Sequence, residues 1–127
     1  MNQLTVNCTH GREDAERAML PFVVGNVAAS ADQNAVVLLT IDGVWLATRG
    51  YADTIQKEGF QPLKETITSF VANGGQIWVC AACAKPRGIM EGDLIEGARI
   101  VTAATVVERL ASGGTSLSFL QVRCRHT

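Results

Sequence analysis

No stretch of this chain is long and apolar enough to span a membrane. The most hydrophobic run, residues 35–41, falls far short of the ~20 residues a bilayer requires. Residues 1–8 (MNQLTVNC) lack a basic region followed by a long apolar segment, so no secretory signal is expected. Charge of one sign is also missing. With 11 Lys and Arg against 12 Asp and Glu, the net charge is −1, which gives no electrostatic case for a nucleic-acid partner. Aromatic residues make up only 6% and do not alternate with basic ones, so no base-stacking platform is apparent. The glycines form neither GxGxxG nor a Walker loop, and no nucleotide cofactor is expected. There is one CxxC and no second pair at finger spacing, so no metal centre is expected either.

The chain does have ample apolar material: 47% of its 127 residues are hydrophobic. That suits one domain with a real core, spanning residues 1–127. The reading is a cytoplasmic one. In that compartment thiols stay reduced, so the four cysteines are not a disulfide scaffold.

Apolar patterning alternates between two periods. Residues 3–9 (QLTVNCT) alternate as a strand does, with Leu4, Val6 and Cys8 on one side. Residues 13–31 read as a helix, with Pro21 expected to kink or divide it. Residues 34–41 (NAVVLLTI) are almost continuously apolar and β-branched, the mark of a strand buried on both faces of a parallel sheet. Segment 44–51 fits no single period. Pro62 opens a second long helix with Leu63, Ile67, Phe70 and Val71 as its buried stripe, and Asn73-Gly74-Gly75 stops it. Residues 76–80 and 97–101 are the third and fourth strands. Thr102 caps a helix over 103–112, with Val106, Val107 and Leu110 facing inward, and a weak fifth strand covers 115–119. The tail 120–127 shows no pattern. Alternating strands and helices predict an α/β fold with a mainly parallel, five-stranded sheet and helices on both faces. Ligands of such sheets bind beyond the carboxyl ends of the strands. Residues 9–11, 42–43, 80–83 and 101–102 are expected there.

Cys80-Ala-Ala-Cys83-Ala-Lys85-Pro-Arg87-Gly88-Ile89 is the most informative stretch. It sets two thiols at a strand end, with two cations close behind. The thiolate is the reacting form of cysteine, and nearby positive charge favours it. Cys80 is therefore the candidate nucleophile and Cys83 a candidate resolving thiol, with Lys85 and Arg87 supplying positive potential. The plainer reading is that cysteines closing a core strand are small apolar filler. His10, after the first strand, is a candidate proton carrier or merely a loop cap. Asp42 either serves the site or orients the Gly43 turn. Cys8 reads as core, Cys124 as a tail residue, and Trp45 and Trp78 as packing or interface residues.

Several pieces of this chain resemble the DsrE/DsrF-like sulfur-relay proteins, which include the TusD-type carriers. They are Thr40-Ile41-Asp42-Gly43-Val44, Cys80-x-x-Cys83-x-x-x-Arg87-Gly88-Ile89, Gly97-Ala98-x-Ile100-Val101-x-Ala103-Ala104 and Ser118-Phe119. Together they cover nearly the whole chain, and the cysteine–arginine–glycine segment is the most specific. The resemblance implies a flavodoxin-like three-layer sandwich, assembly into trimers or hexamers, and protein partners that donate and accept sulfur. It also implies a persulfide on Cys80, seven residues before Arg87 as in the TusD pattern. The carriers have alanine where this chain has Cys83. That difference leaves open a persulfide carrier or sulfurtransferase, a CxxC thiol–disulfide redox protein, and a non-catalytic oligomeric module with structural thiols.

Overall fold

A computed structural model describes residues 2–119. Its strands are β1 (Gln3–Cys8), β2 (Asn34–Leu39), β3 (Gln76–Cys80), β4 (Ala98–Val101) and β5 (Thr115–Ser118). Between them run helices α1 (Ala15–Ser30), α2 (Leu63–Ala72), α3 (Ala81–Ala84) and α4 (Ala103–Ala111). The sheet order is β4-β3-β2-β1-β5, and every pairing is parallel. β1 to β4 step in one direction across the sheet, so right-handed crossovers put α1 and α2 on the same face. The last connection returns from the β4 edge to the far side of β1, and α4 crosses the opposite face. The result is the expected α/β three-layer sandwich.

β2 is central, and its burial pattern explains its composition: all five residues from Ala35 to Leu39 are buried. Val37 and Leu39 join Ile77 and Val79 beneath α1 and α2, where Phe22 meets Phe70 edge-to-face at 6.0 Å. Val36 and Leu38 face the other way, with Trp78 and Val101, under Val106 of α4. Gly75, between α2 and β3, sits where a Cβ would lie 2.2 Å from the Phe70 ring.

Three expectations need correction. α1 runs unbroken through Pro21. The carbonyl that Pro21 leaves without an N–H partner is that of Arg17, and the Cys8 thiol lies 3.8 Å from it. That weak donor, reached from β1, partly replaces the lost bond. β2 ends at Leu39 instead of reaching 41, because Ile41 turns into the left-handed region at φ 53°. On α4 the inward positions are not Val107 and Leu110, which are 64% and 47% exposed. Val106 packs inward as expected, and beside it Arg109 reaches β1 and β2. Cys124 lies outside the described residues.

Candidate functional site at the carboxyl ends of β2 and β3

Cys80 is the last residue of β3 and the N-cap of α3, with φ −64° and ψ 120°. Cys83 is the third residue of that single helical turn. Both side chains are half-buried, and both thiols are free. Cys80 thus caps the turn that carries Cys83 three residues on, and both thiols belong to one turn of chain. α3 is too short for its own dipole to contribute much. It runs directly into a 3₁₀ turn, Lys85–Arg87, which Gly88 closes at φ 71°, a conformation costly for any residue with a Cβ.

That turn sends Arg87 back over α3. Its Nη1 donates to the Cys83 carbonyl at 3.0 Å, satisfying one of the helix's terminal acceptors. Its Nε and Nη2 both donate to Asp42 Oδ1, at 3.2 and 2.9 Å. Asp42 stands just beyond β2. Strand register explains the meeting: Leu39 is opposite Val79, so the chains leaving β2 and β3 are neighbours. The Asp42–Arg87 pair thus clamps the CxxC turn to the β2 exit. Arg87 is consequently less a free cation than a brace. Lys85 is exposed and makes no ion pair among the described residues.

The β2 exit is itself constrained. A Cβ on Gly43 would come within 2.2 Å of the Cys8 carbonyl oxygen, so this turn closes tightly on the end of β1. Ile41, beside Asp42, is 53% exposed, and its left-handed backbone costs about 1–2 kcal/mol for a residue with a Cβ.

His10 follows β1, two strands from β3. Its Nδ1 lies 2.8 Å from Thr9 Oγ1, and no hydrogen bond among the described residues joins it to Cys80, Cys83, Arg87 or Asp42. Cys8 is 1% exposed. Its thiol approaches the carbonyls of His10, Arg17 and Ala18 at 3.6, 3.8 and 3.8 Å. Burial pushes this thiol up to about 12, partly opposed by the His10 contact, so at neutral pH it is a protonated donor and not a nucleophile.

Of the candidates, then, Cys80, Cys83, Arg87 and Asp42 come together, Lys85 stands at their edge, and His10 stands apart. Sequence reasoning missed Arg49, which with Trp45 and Arg87 lines a cavity of about 340 Å3 beside the clamp. Arg49 lies in segment 44–51, between two short 3₁₀ turns, where no periodic signal marks it. A larger cavity of about 430 Å3 lies along α2, around Leu46, Ile67, Val71 and Ile95; neither cavity is lined by a cysteine. Among the described residues, no three His, Cys, Asp or Glu side chains converge as metal ligands do. No helix there is long and apolar enough to cross a membrane.

Comparison with known proteins agrees with this architecture. An uncharacterized protein of Methanocaldococcus jannaschii, MJ0760, is 31% identical over 111 residues, which is 87% of this chain. This chain covers only 40% of that relative's length. The crystal structure of the YchN protein from E. coli superposes with a TM-score of 0.77 at 20% identity, covering 94% of this chain and all of the other. A protein of unknown function from Methanobacterium thermoautotrophicum, MTH1491, gives 0.70 at 18% identity, covering 93% and 99%. Both solved structures share the fold. The DsrE/DsrF-like family profile matches residues 3–119, nearly the whole described chain, and the chain belongs to the DsrE/DsrF-like family.

Proposed function

We propose that this protein is a sulfur-relay component that takes sulfane sulfur onto Cys80 as a persulfide and passes it to an acceptor thiol. Membership of the DsrE/DsrF-like family supports a role of this type. The observation that carries the assignment to Cys80 is its position: a half-buried free thiol ending β3, on the sheet edge where α/β folds bind ligands. Cys8, by contrast, is sealed and protonated. Lys85 lends positive potential, while the Asp42–Arg87 clamp fixes the turn.

A second reading has its own support. Cys80 and Cys83 sit at N-cap and third position of one helical turn, an arrangement compatible with a reversible disulfide. In that mechanism the Cys80 thiolate attacks a disulfide and Cys83 resolves the mixed species. Intact-protein mass spectrometry after exposure to a persulfide donor separates the two. In the relay reading Cys80→Ser loses the added sulfur and Cys83→Ser keeps it. In the redox reading Cys83→Ser accumulates mixed disulfides on Cys80. If neither mutant changes the products, Cys80 is not the reacting group.

A further inference from the structure

The cavity beside the clamp has a composition that the thiol pair does not explain. About 340 Å3 in volume, it is lined by Trp45, Arg49, Arg87 and Ile89, with Thr48, Gly88 and Asp93. Ile89 is 5% exposed, and the Trp45 indole is held by stacking on Tyr51 at 6.2 Å between centroids. These form apolar walls. The two guanidiniums are held in place. Arg87 has five N–H groups, of which its bonds to Asp42 and the Cys83 carbonyl commit three. Arg49 Nη2 donates to the Gly92 carbonyl, and the Arg49 backbone N–H donates to the Asp93 carbonyl at 3.1 Å. Both forks therefore retain N–H groups uncommitted among the described residues. The one carboxylate in the lining, Asp93, already accepts the Met90 N–H at 2.9 Å. Asp42 already balances the Arg87 charge and Asp93 keeps its own. The attraction therefore rests on Arg49, which forms no ion pair among the described residues, and on the free N–H groups of both forks. Beside an indole wall these suit a ligand with a carboxylate on a short apolar stem. No cysteine lines this cavity; Arg87 spans from it to the Cys83 carbonyl, which puts a ligand here on the Arg87 side of the CxxC turn.

We infer that this cavity is the subsite for the carboxylate of a low-molecular-weight persulfide that delivers sulfur to Cys80, an inference that rests on the relay reading above. The carboxylate binds the Arg49 and Arg87 forks, and the stem lies along Trp45 toward the CxxC turn. The Cys80 thiolate attacks the terminal sulfur of R–S–SH. A bond forms from Cys80 Sγ to that sulfur, and its bond to the carrier sulfur breaks. The electron pair leaves on the carrier as RS⁻, and the proton stays on the transferred sulfur. Charge balances, and no outside oxidant or reductant is needed.

The test uses a matched pair of donors, the persulfides of N-acetylcysteine and of its methyl ester, which differ only in the carboxylate. The wild-type protein is expected to load Cys80 about tenfold faster from the acid than from the ester, as a charge-assisted contact of this kind allows. In Arg49→Gln that ratio falls to about two or less. Arg49 is exposed, so the variant leaves the core intact. A wild-type ratio near one, or a ratio that Arg49→Gln leaves intact, overturns the inference. A second measurement keeps it separable from the relay reading: titration with S-methyl-N-acetylcysteine, which cannot transfer sulfur, followed at the Trp45 indole resonance by NMR. If neither donor loads Cys80, the relay reading fails. An Arg49-dependent shift of Trp45 would then still uphold the carboxylate subsite, and its absence would end both.

Discussion

At the scale of single residues, Cys8 and Gly43 show how the end of β1 is sealed. Cys8 ordinarily titrates near 9.0 and in the fold holds its proton up to about 12. The raised value fixes the sign. Below pH 9 both folded and unfolded states carry the proton, and folding is unaffected. Between pH 9 and about 12 the unfolded chain releases a proton that the folded chain keeps, so stability falls as pH rises, by on the order of 1 kcal/mol per pH unit. Urea denaturation at pH 8 and pH 10 should show this loss in the wild type and a smaller loss in Cys8→Ala. Equal slopes would mean that Cys8 is not the titrating group. Gly43 is bounded by backbone, since the atom a Cβ would strike is the Cys8 carbonyl oxygen at 2.2 Å. A flexible side chain can move aside and a strand carbonyl cannot. Gly43→Ala should therefore cost about 2–3 kcal/mol by overpacking, and it should displace Asp42 from Arg87. A melting temperature equal to wild type would contradict the close approach.

At the scale of elements, legibility in the sequence followed burial symmetry. β2 was legible because both its faces are covered, so nearly every position is apolar. α4 was misread because its inward stripe includes a charge. Arg109 donates to Thr5 Oγ1 at 2.7 Å, Asn34 Oδ1 at 3.1 Å, the Leu4 carbonyl at 3.0 Å and the Asn34 carbonyl at 2.8 Å. Its guanidinium also lies 5.4 Å from the Trp78 ring. Burial draws its pKa downward, yet an arginine so placed stays charged at neutral pH. A stripe reading that counts only apolar residues cannot find such a contact, because Thr5 and Asn34 lie 104 and 75 residues away in the chain. The site behaved similarly. The types and spacing of Cys80, Cys83, Arg87 and Asp42 were visible, but the clamp was not, since it depends on β2 and β3 being neighbours in register. Because Arg109 joins α4 to β1 and β2, Arg109→Met should lose about 2 kcal/mol or more in urea denaturation. Arg109→Lys should fail to restore it, because an ammonium cannot reproduce the fork. Full rescue by lysine would reduce the contact to simple charge.

At the scale of the whole molecule, the two faces of the sheet are unequally covered. α1 and α2 bury one face beneath a continuous core of large side chains. Among the described residues α4 alone lies over the other, has no fully buried residue, and presents Val107 and Leu110 at 64% and 47% exposure. Among the described residues these two apolar side chains, one turn apart, join no core cluster, and such patches often mark association. The trimer or hexamer implied by the family resemblance would give them a role: a copy of this chain placed against α4 would complete the thinner layer. Val107→Glu with Leu110→Glu should therefore lower the sedimenting mass at micromolar concentration toward that of one 13.5 kDa chain. The fold should survive, since neither side chain belongs to a core cluster. Persulfide loading of Cys80 in that variant decides what assembly is for. Loading that persists would make each subunit self-sufficient, as expected of a clamp, thiols and cavity all built from one chain. Loading lost with the oligomer while the circular dichroism stays native would mean that the site is completed across the interface. A wild-type protein that already sediments as a monomer would remove the assembly from the account and leave α4 a bare surface helix.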